Sequence, residues 1–171
     1  MKTLNEIIEK YPSIDVNQSG GPDTFDENAP IVERDPIAVI IIHPTEDMYL
    51  LAEWKSSNWR GFLTGGIEDG DTLEDTVRKE VKEETGYIHI KEIIKTDIVS
   101  HGLFFHTVKR VNRLAHYHLV IAKLQDLEQV EISDEEKSIA EFVWYKKEDI
   151  LNLLTRNDMK ILWNHFLEHS I

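Results

Sequence analysis

One stretch of the sequence joins a glycine-rich loop to a run of carboxylates. It begins at Gly65, and its second half carries Glu80, Glu83 and Glu84. If that half is a helix, Glu83 lies about 60° to one side of Glu80 and Glu84 about 40° to the other, all within one arc of about 100°. Carboxylates crowded in this way repel one another and need a compensating cation. Hard oxygen ligands favour Mg²⁺ or Mn²⁺.

The ordinary interpretation of three glutamates on a helix is a solvated acidic face. The helix angles argue against it. Measured from Glu80, Leu73, Val77 and Val81 lie near about 20°, 60° and 100°, so the glutamates overlap the edge of the apolar stripe instead of opposing it. The solvent side, between about 160° and 260°, holds other charged residues: Asp75, Arg78, Lys79 and Lys82. The glutamates are therefore predicted to be partly buried metal ligands.

The same stretch resembles the Nudix box, G-x5-E-x7-R-E-U-x-E-E-x-G-U, in which U is an apolar residue. The matching residues are Gly65, Asp71, Lys79, Glu80, Val81, Glu83, Glu84, Gly86 and Tyr87. Two positions depart from the pattern, since Asp71 stands for Glu and Lys79 for Arg. Both keep the charge but lose reach or bidentate geometry. In the family these two positions help to hold the loop and helix in shape, so the departures bear on efficiency more than on chemistry.

The resemblance implies a fold and a reaction. The fold is α/β, a Nudix α/β/α sandwich with a mixed β-sheet, and the reaction is attack by water on a phosphorus of a diphosphate. Metal ions would bridge substrate oxygens and help to generate the nucleophile. By position, Glu80, Glu83, Glu84 and the backbone carbonyl of Gly65 would bind the metal. One of the glutamates would also take the proton from the attacking water.

The final base in this family often comes from a later loop. The candidates here are Glu131, Glu135, Glu136 and Glu141. We prefer Glu141 because it immediately precedes a strand that begins at Phe142. The run 133–137 is interpreted more simply as a solvated loop.

A narrower resemblance extends beyond the box, over about Ile31–Tyr145. Its segments are Val32–Asp35, His43-Pro44, Thr64–Glu68, Val111–His116 and Ser133–Lys137. They look like Nudix-like domains that accompany some bacterial leucyl-tRNA synthetases. The chain carries no synthetase nucleotide-binding motif, so the resemblance implies a free-standing relative or an excised domain, and it implies no substrate.

Three residues are candidates for substrate binding: Arg34, Trp59 and Arg113. Trp59 lies in a polar loop and could stack on a base, although aromatic residues are more often core. Arg113 belongs to a basic cluster that could hold a phosphate, with a solvated loop end as the alternative. His116 and His118 would share one face of a strand, and we interpret them as structural histidines.

The glutamate helix needs a scaffold, which the rest of the chain predicts. A first helix near Thr3–Tyr11 ends at Pro12, and a loop or arm runs from Ser13 to Pro30. Strands are predicted at Ile37–Ile42, Met48–Trp54, Ile88–Ile94, Asp97–Phe105, Ala115–Leu124 and Glu141–Tyr145. The glutamate helix is predicted over Thr72–Thr85, with a capping box at its start and Gly86 at its end, and further helices over Lys147–Leu154 and Asp158–Glu168. We divide the chain into an N-terminal helix and arm, residues 1–30, and a Nudix hydrolase domain, residues 31–171.

The composition limits the kinds of molecule that the protein is expected to bind. The 171 residues suit one domain, and the net charge of −13 argues against a duplex nucleic acid partner. The absence of cysteine excludes disulfides and thiolate chemistry. No apolar run approaches the roughly 20 residues of a membrane helix, and no secretory signal is visible. These features predict a cytoplasmic protein with no membrane partner, and they leave a homodimer open.

Two functions compete at this point. The first is a Mg²⁺-dependent (or Mn²⁺-dependent) pyrophosphohydrolase acting on a small-molecule nucleotide substrate, such as a nucleotide sugar, a dinucleoside polyphosphate or a nucleoside triphosphate. The second is a non-catalytic module that binds a nucleotide, RNA or a synthetase. The intact glutamates favour the enzyme, whereas Asp71 and Lys79 keep the alternative open.

Overall fold

The computed structural model describes residues 3–169. Its elements are α1 (Leu4–Lys10), β1 (Asp15–Val16), β2 (Ile31–Arg34), β3 (Pro36–Ile42), β4 (Met48–Trp54), β5 (Arg60–Gly61), β6 (Leu63–Gly66), α2 (Leu73–Thr85), β7 (Ile90–His106), β8 (Val111–Leu124), α3 (Asp134–Ile139), β9 (Ala140–Lys146), α4 (Lys147–Leu153) and α5 (Asn157–Glu168). Within the described residues, no helix is long and apolar enough to cross a membrane.

The strands form one mixed sheet with β3 near its centre. β3 pairs in parallel with β8 on one side, and antiparallel with β4 and β6 on the other. β8 continues the sheet to β7, and β4 continues it to β9 and β5. The β-branched run Ile37–Ile41 is at most 1% exposed, because helices cover both faces of the sheet at this strand.

The two faces of the sheet carry different helices. On the α5 face, side chains that include Ile40 and Leu119 pack against Leu162 and Trp163 of α5. On the α2 face, Val77 and Val81 of α2 pack against the side chains that β3 and β8 direct to this other side of the sheet. α1 covers a second part of the α2 face through Ile7. The result is three layers, which confirms the predicted α/β/α architecture with a mixed sheet.

The predicted elements are confirmed to within a few residues, with three differences. The segments Ile88–Ile94 and Asp97–Phe105 form the single strand β7, whose pairing with β8 is irregular between Lys95 and Val99. The run 133–137 belongs to helix α3 rather than to a loop, because the Ser133 hydroxyl caps it by accepting the Glu136 N–H at 3.2 Å. The short strands β1, β2, β5 and β6 were not predicted.

The N-terminal arm is tied to the sheet rather than lying loosely over it. β1 pairs in parallel with β7 at Asp15 and Gly102. The side chain of Asn112, which is fully buried, accepts the Asp26 N–H at 3.0 Å and donates to the carbonyls of Asp26 and Ala29 at 2.7 and 3.0 Å. The arm and the sheet therefore share one set of buried polar contacts.

Candidate metal and catalytic site

The glutamate helix α2 is fixed at both ends by local hydrogen bonds. The Thr72 hydroxyl accepts the Asp75 N–H at 3.1 Å, and the Asp75 carboxylate accepts the Thr72 N–H at 3.3 Å. At the other end Gly86 adopts φ 80°, a left-handed conformation that glycine tolerates best. The predicted capping box and C-cap are confirmed, and they set which side of α2 each later residue faces.

Gly65 lies directly against Glu80. It occupies β6, opposite Ile37 of β3. A Cβ atom at position 65 would lie 2.6 Å from Cγ and Cδ of Glu80 and 2.9 Å from its Oε1. Only glycine lets the backbone of β6 approach the carboxylate so closely. The fold therefore joins the loop and the helix at the two residues where the resemblance places metal ligands.

The three glutamates differ in their surroundings. Val77 and Val81 are completely buried, Glu80 and Glu84 are partly buried beside them, and Glu83 is exposed. The predicted overlap between carboxylates and apolar stripe therefore holds for Glu80 and Glu84.

Burial disfavours charge on the Glu80–Glu84 pair. It raises the pKa of Glu84 to about 9, with further increases from the charges of Glu80 and Glu136. Burial also raises the pKa of Glu80, which accepts a hydrogen bond from the protonated carboxyl of Glu84. Without a cation, the pair holds a proton between its carboxyl groups where two negative charges would repel.

The residues present fit a divalent cation. Their donors are carboxylate oxygens beside a loop backbone, which are ligands that Mg²⁺ and Mn²⁺ accept. Among residues 3–169, the groups whose ligand atoms already lie within 4.8 Å of one another are His89–Asp126–Glu128 and His165–Glu168–His169. Glu83 therefore has to turn inward for all three glutamates to reach one ion, and its exposure leaves it free to do so.

A fourth carboxylate approaches from α3. The charge of Glu136 contributes to the raised pKa of both Glu80 and Glu84. Glu141, the preferred candidate from the sequence, pairs with Glu53 in the sheet. Its neighbour Phe142 packs toward α2, so strand alternation turns Glu141 to the α5 face. The geometry therefore moves the preference for the later-loop base from Glu141 to Glu136.

An open groove of about 340 Å³ runs beside this fourth carboxylate. Its lining comes from Lys82 and Glu83 of α2 and from residues 130–133 and 136. The groove gives the Glu83 side of the helix access to solvent and to small molecules.

A family model agrees with this arrangement of loop, helix and sheet. The NUDIX domain model matches residues 33–164. The chain belongs to the NUDIX domain family. No curated protein matches the chain significantly.

Solved Nudix structures share the fold. The Escherichia coli dihydroneopterin triphosphate pyrophosphohydrolase superposes with a TM-score of 0.61 at 15% identity, over 79% of this chain and 95% of that one. The MutT protein of Bacillus halodurans gives 0.59 at 23% identity, over 78% and 82%. The Caenorhabditis elegans Ap4A hydrolase gives 0.52 at 15% identity, over 82% and 100%. At these identities the likeness concerns the fold.

Membership of the family confirms the enzyme class predicted from the sequence, a Nudix-type pyrophosphohydrolase. The narrower resemblance to domains that accompany leucyl-tRNA synthetases has no counterpart in these comparisons and stays a prediction.

The two residues that depart from the Nudix box, Asp71 and Lys79, bond to different groups of Glu68. Lys79 Nζ lies 2.8 Å from Glu68 Oε2, so its ion-pair partner comes from the loop before the helix. The backbone N–H of Asp71 donates to the Glu68 carbonyl at 3.1 Å. The loop folds back at Glu68 and places that side chain over the helix, where Glu68 and, to a smaller extent, the charge of Asp71 raise the pKa of Lys79. Glu68 is the residue that the sequence analysis missed.

The three candidates for substrate binding lie on the other face of the sheet. In β2 the side chain of Ile31 packs with α1, so Arg34 points to the α5 face. Its charge helps to lower the pKa of Arg113, after the larger effect of burial. Arg113 lies opposite Phe104 of β7, which packs in the α5-side core. The sheet separates these residues from the glutamates.

Trp59 forms a stack on this same α5 face. Its ring meets Phe104 edge-on at 5.2 Å, and the guanidinium of Arg156 lies 4.7 Å above it. Arg156 in turn pairs with Asp15 at 2.9 Å and lies 3.6 Å from Asp158. The polar loop around Trp59 suggested an exposed aromatic residue. In the structure, Trp59 packs against Arg156, which lies far away in the sequence.

Proposed function

We propose that this Nudix protein depends on Mg²⁺ or Mn²⁺ and hydrolyses a diphosphate linkage in a nucleoside diphosphate-linked small molecule. The observation that carries the proposal is the packing of Gly65 against Glu80, with Glu84 partly buried beside it. This packing keeps the carboxylates of Glu80 and Glu84 next to the backbone of Gly65, in a place where burial disfavours their negative charge. A divalent cation removes that penalty and supplies the charge that a polyphosphate needs.

The proposal gives each residue a role. Glu80, Glu83, Glu84 and the carbonyl oxygen of Gly65 hold the cation. Bound there, the cation would neutralise phosphate oxygens and lower the pKa of a bound water. Glu136 lines the same groove as Glu83, its charge helps to raise the pKa of Glu84, and it is the candidate for the proton acceptor. Its location on the separate helix α3 leaves it outside the proposed set of metal ligands and available to accept a proton.

The substrate class rests on charge and family. The net charge of −13 disfavours long polyanions, so we propose a small molecule: a nucleotide sugar, a dinucleoside polyphosphate or a nucleoside triphosphate. The related folds belong to enzymes named for a pterin triphosphate and for Ap4A, so the fold accommodates more than one of these shapes. A cytoplasmic location and a homodimer stay predictions.

Turnover of a substrate panel tests the proposal. Release of nucleoside monophosphate or phosphate is expected with Mg²⁺ or Mn²⁺ and not with EDTA. Glu83→Gln and Glu84→Gln should each lower kcat by about 100-fold or more, roughly 2.7 kcal/mol or more of transition-state stabilisation, while circular dichroism stays unchanged. Millimolar metal should also raise the melting temperature of the wild type, since it binds the native state. Nucleotide binding without any turnover would support the binding module instead.

A further inference from the structure

The α2 face of the sheet has a stretch that neither helix covers. β2 and β3 run along β8 in one unbroken register, with Ile31 beside Asn112 and Ile37 beside His118. Ile31 packs under α1 and Ile37 under α2. Between them, strand alternation turns Glu33 and Asp35 to the same face. We call this stretch the α1–α2 gap.

Three histidines from neighbouring strands complete the gap. His116 Nε2 lies 2.8 Å from Glu33, and His116 Nδ1 lies 2.8 Å from His101 Nδ1. His118 Nε2 lies 3.3 Å from Asp35. The side chains of His118 and Asp35 remain 40% and 70% exposed, whereas His116 is 8% exposed. His118 and Asp35, together with Glu33, whose side chain is 37% exposed, are thus the polar groups of the gap that a ligand can reach.

Tyr11 closes the far side of the gap. Its ring centroid lies 4.3 Å from that of His101 and 4.9 Å from that of His116. Lys10 lies 4.9 Å above the same ring. Tyr11 precedes the matched Nudix region, residues 33–164, so this wall comes from the N-terminal segment.

The near side of the gap is the proposed metal site. Gly65 pairs with Ile37, and Ile37 pairs with His118. All three face the same side of the sheet, because a Cβ at Gly65 would meet α2 and Ile37 packs beneath it. Two strand spacings of about 4.8 Å put His118 about 10 Å from Gly65. A molecule whose diphosphate lies at Gly65 and Glu80 can extend along this row over Ile37 to His118.

The chemistry of the gap favours one class of ligand group. Glu33 and Asp35 are acceptors, and imidazole nitrogens donate or accept according to their tautomer. The carboxylates of Glu33 and Asp35 outnumber the charge of the neighbouring Lys10 and so disfavour a further phosphate. A hydroxyl or amino group, by contrast, donates to a carboxylate at no charge cost.

We propose that His118 and Asp35, with Tyr11 as the far wall, bind the hydroxyl- or amine-bearing part of the substrate, its sugar or base, and so set specificity. This proposal rests on the proposed function, since it places the reacting diphosphate at the glutamates. A direct consequence is that the uncharged end of the substrate lies toward the N-terminal segment, and that additional phosphates are not accommodated there.

Kinetics on matched substrates test this role. Asp35→Asn and His118→Asn should raise KM about tenfold or more for the best nucleotide substrate while kcat changes by less than about threefold. Both variants should also lose discrimination between substrates that differ in one hydroxyl or amine, such as GTP against dGTP and GTP against ITP. Asp97→Asn, an exposed carboxylate on β7 outside the gap, should match the wild type. Equal KM values in all four proteins would overturn the assignment.

A binding measurement separates this proposal from the proposed function. The side-chain ¹⁵N resonances of His118 should shift when AMP or ribose 5-phosphate is added to the full chain without metal, and inorganic phosphate should leave them unchanged. If the wild type hydrolyses nothing yet these shifts appear, the proposed function fails and the subsite stands. If hydrolysis occurs and neither compound shifts His118, the subsite fails alone. An equal shift with inorganic phosphate would identify an anion site and contradict the proposed ligand class.

Discussion

At the scale of single residues, the contact between Gly65 and Glu80 gives the sharpest test of the site. Gly65→Ala would force Glu80 away, since the new Cβ would meet its Cγ and Cδ at 2.6 Å. We expect Mn²⁺ affinity and turnover to fall about tenfold or more, equivalent to about 1.4 kcal/mol, with the fold retained.

The neighbouring glycine provides the control for this substitution. A Cβ at Gly66 would meet nothing within 4 Å, so Gly66→Ala should bind Mn²⁺ as the wild type does. Titrations of both variants, with circular dichroism to check folding, measure the effect. Similar losses in the two variants would mean that strand β6 tolerates no side chain, and that the contact with Glu80 is not special.

A second residue, Asp158, links stability to pH far from the glutamates. It is 2% exposed, and burial raises its pKa from 3.8 to about 6, although the charge of Arg156 opposes the shift. The folded protein therefore takes up a proton at a higher pH than the unfolded chain does. Through this group, the free energy of unfolding rises as the pH falls from about 6 to about 4, and that gain is lost as the pH rises again.

Asp158→Asn removes this titration. The amide oxygen can still accept the Met159 N–H, now bonded at 2.8 Å. Relative to the wild type, the variant should be most stable at pH 8 and should lose that advantage by about pH 4. Urea unfolding at pH 4, 6 and 8 measures the difference, with Asp97→Asn as the exposed control. A difference independent of pH would show that Asp158 does not titrate in this range.

At the scale of elements, the end of α2 and the loop before α3 are held together at Gly86. The Gly86 carbonyl accepts the Val130 N–H at 2.8 Å, and Gln129 Nε2 donates to the Thr85 carbonyl at 2.7 Å. A Cβ at Gly86 would lie 2.5 Å from the Val130 oxygen. Because the chain leads from this loop into α3, these contacts also position Glu136 relative to Glu84.

Two glycines with positive φ separate the cost of backbone strain from the cost of a collision with the loop. Gly70→Ala meets nothing within 4 Å and bears only the cost of φ +95°, about 1–2 kcal/mol. Gly86→Ala bears a similar cost at φ +80° and also collides with Val130. Its loss of unfolding free energy should therefore be the larger, and hydrogen exchange should quicken at residues 125–136 only in this variant. Equal losses in urea unfolding would rule out the collision as a constraint on the loop.

At the scale of the whole molecule, Asn112 joins the N-terminal arm to the sheet. It makes three hydrogen bonds to Asp26 and Ala29 while fully buried. Asn112→Ala would leave those backbone groups without hydrogen-bond partners, and we expect a loss of about 1–3 kcal/mol of unfolding free energy. If arm and sheet form one cooperative unit, fluorescence and far-ultraviolet circular dichroism should report one shared transition at lower denaturant. Two separate transitions would instead mean that residues 3–30 unfold independently.

Local patterns in the sequence were sufficient to predict α2 and its caps. Helix contacts link residues three and four apart, so the positions of Val77, Val81 and Glu80 follow from spacing alone. The same holds for Thr72 with Asp75, and for the short apolar strands. The sequence also contained the signal for α3, since Ser133 precedes an acidic first turn, but the charge of that run was interpreted as a loop.

The tertiary structure decided which distant residues meet. Glu136 lines one groove with Glu83 because α3 packs beside α2. Glu141 faces away from α2 because side chains alternate along β9 and one step moves a residue to the other face. The same alternation sends Arg34 to the α5 face, whereas Asp35 stays on the α2 face. Lys79 finds Glu68 only because the loop folds back over the helix. Composition and spacing define α2 and its carboxylates, but strand register and loop path, which depend on contacts far apart in the chain, define the surroundings of the site.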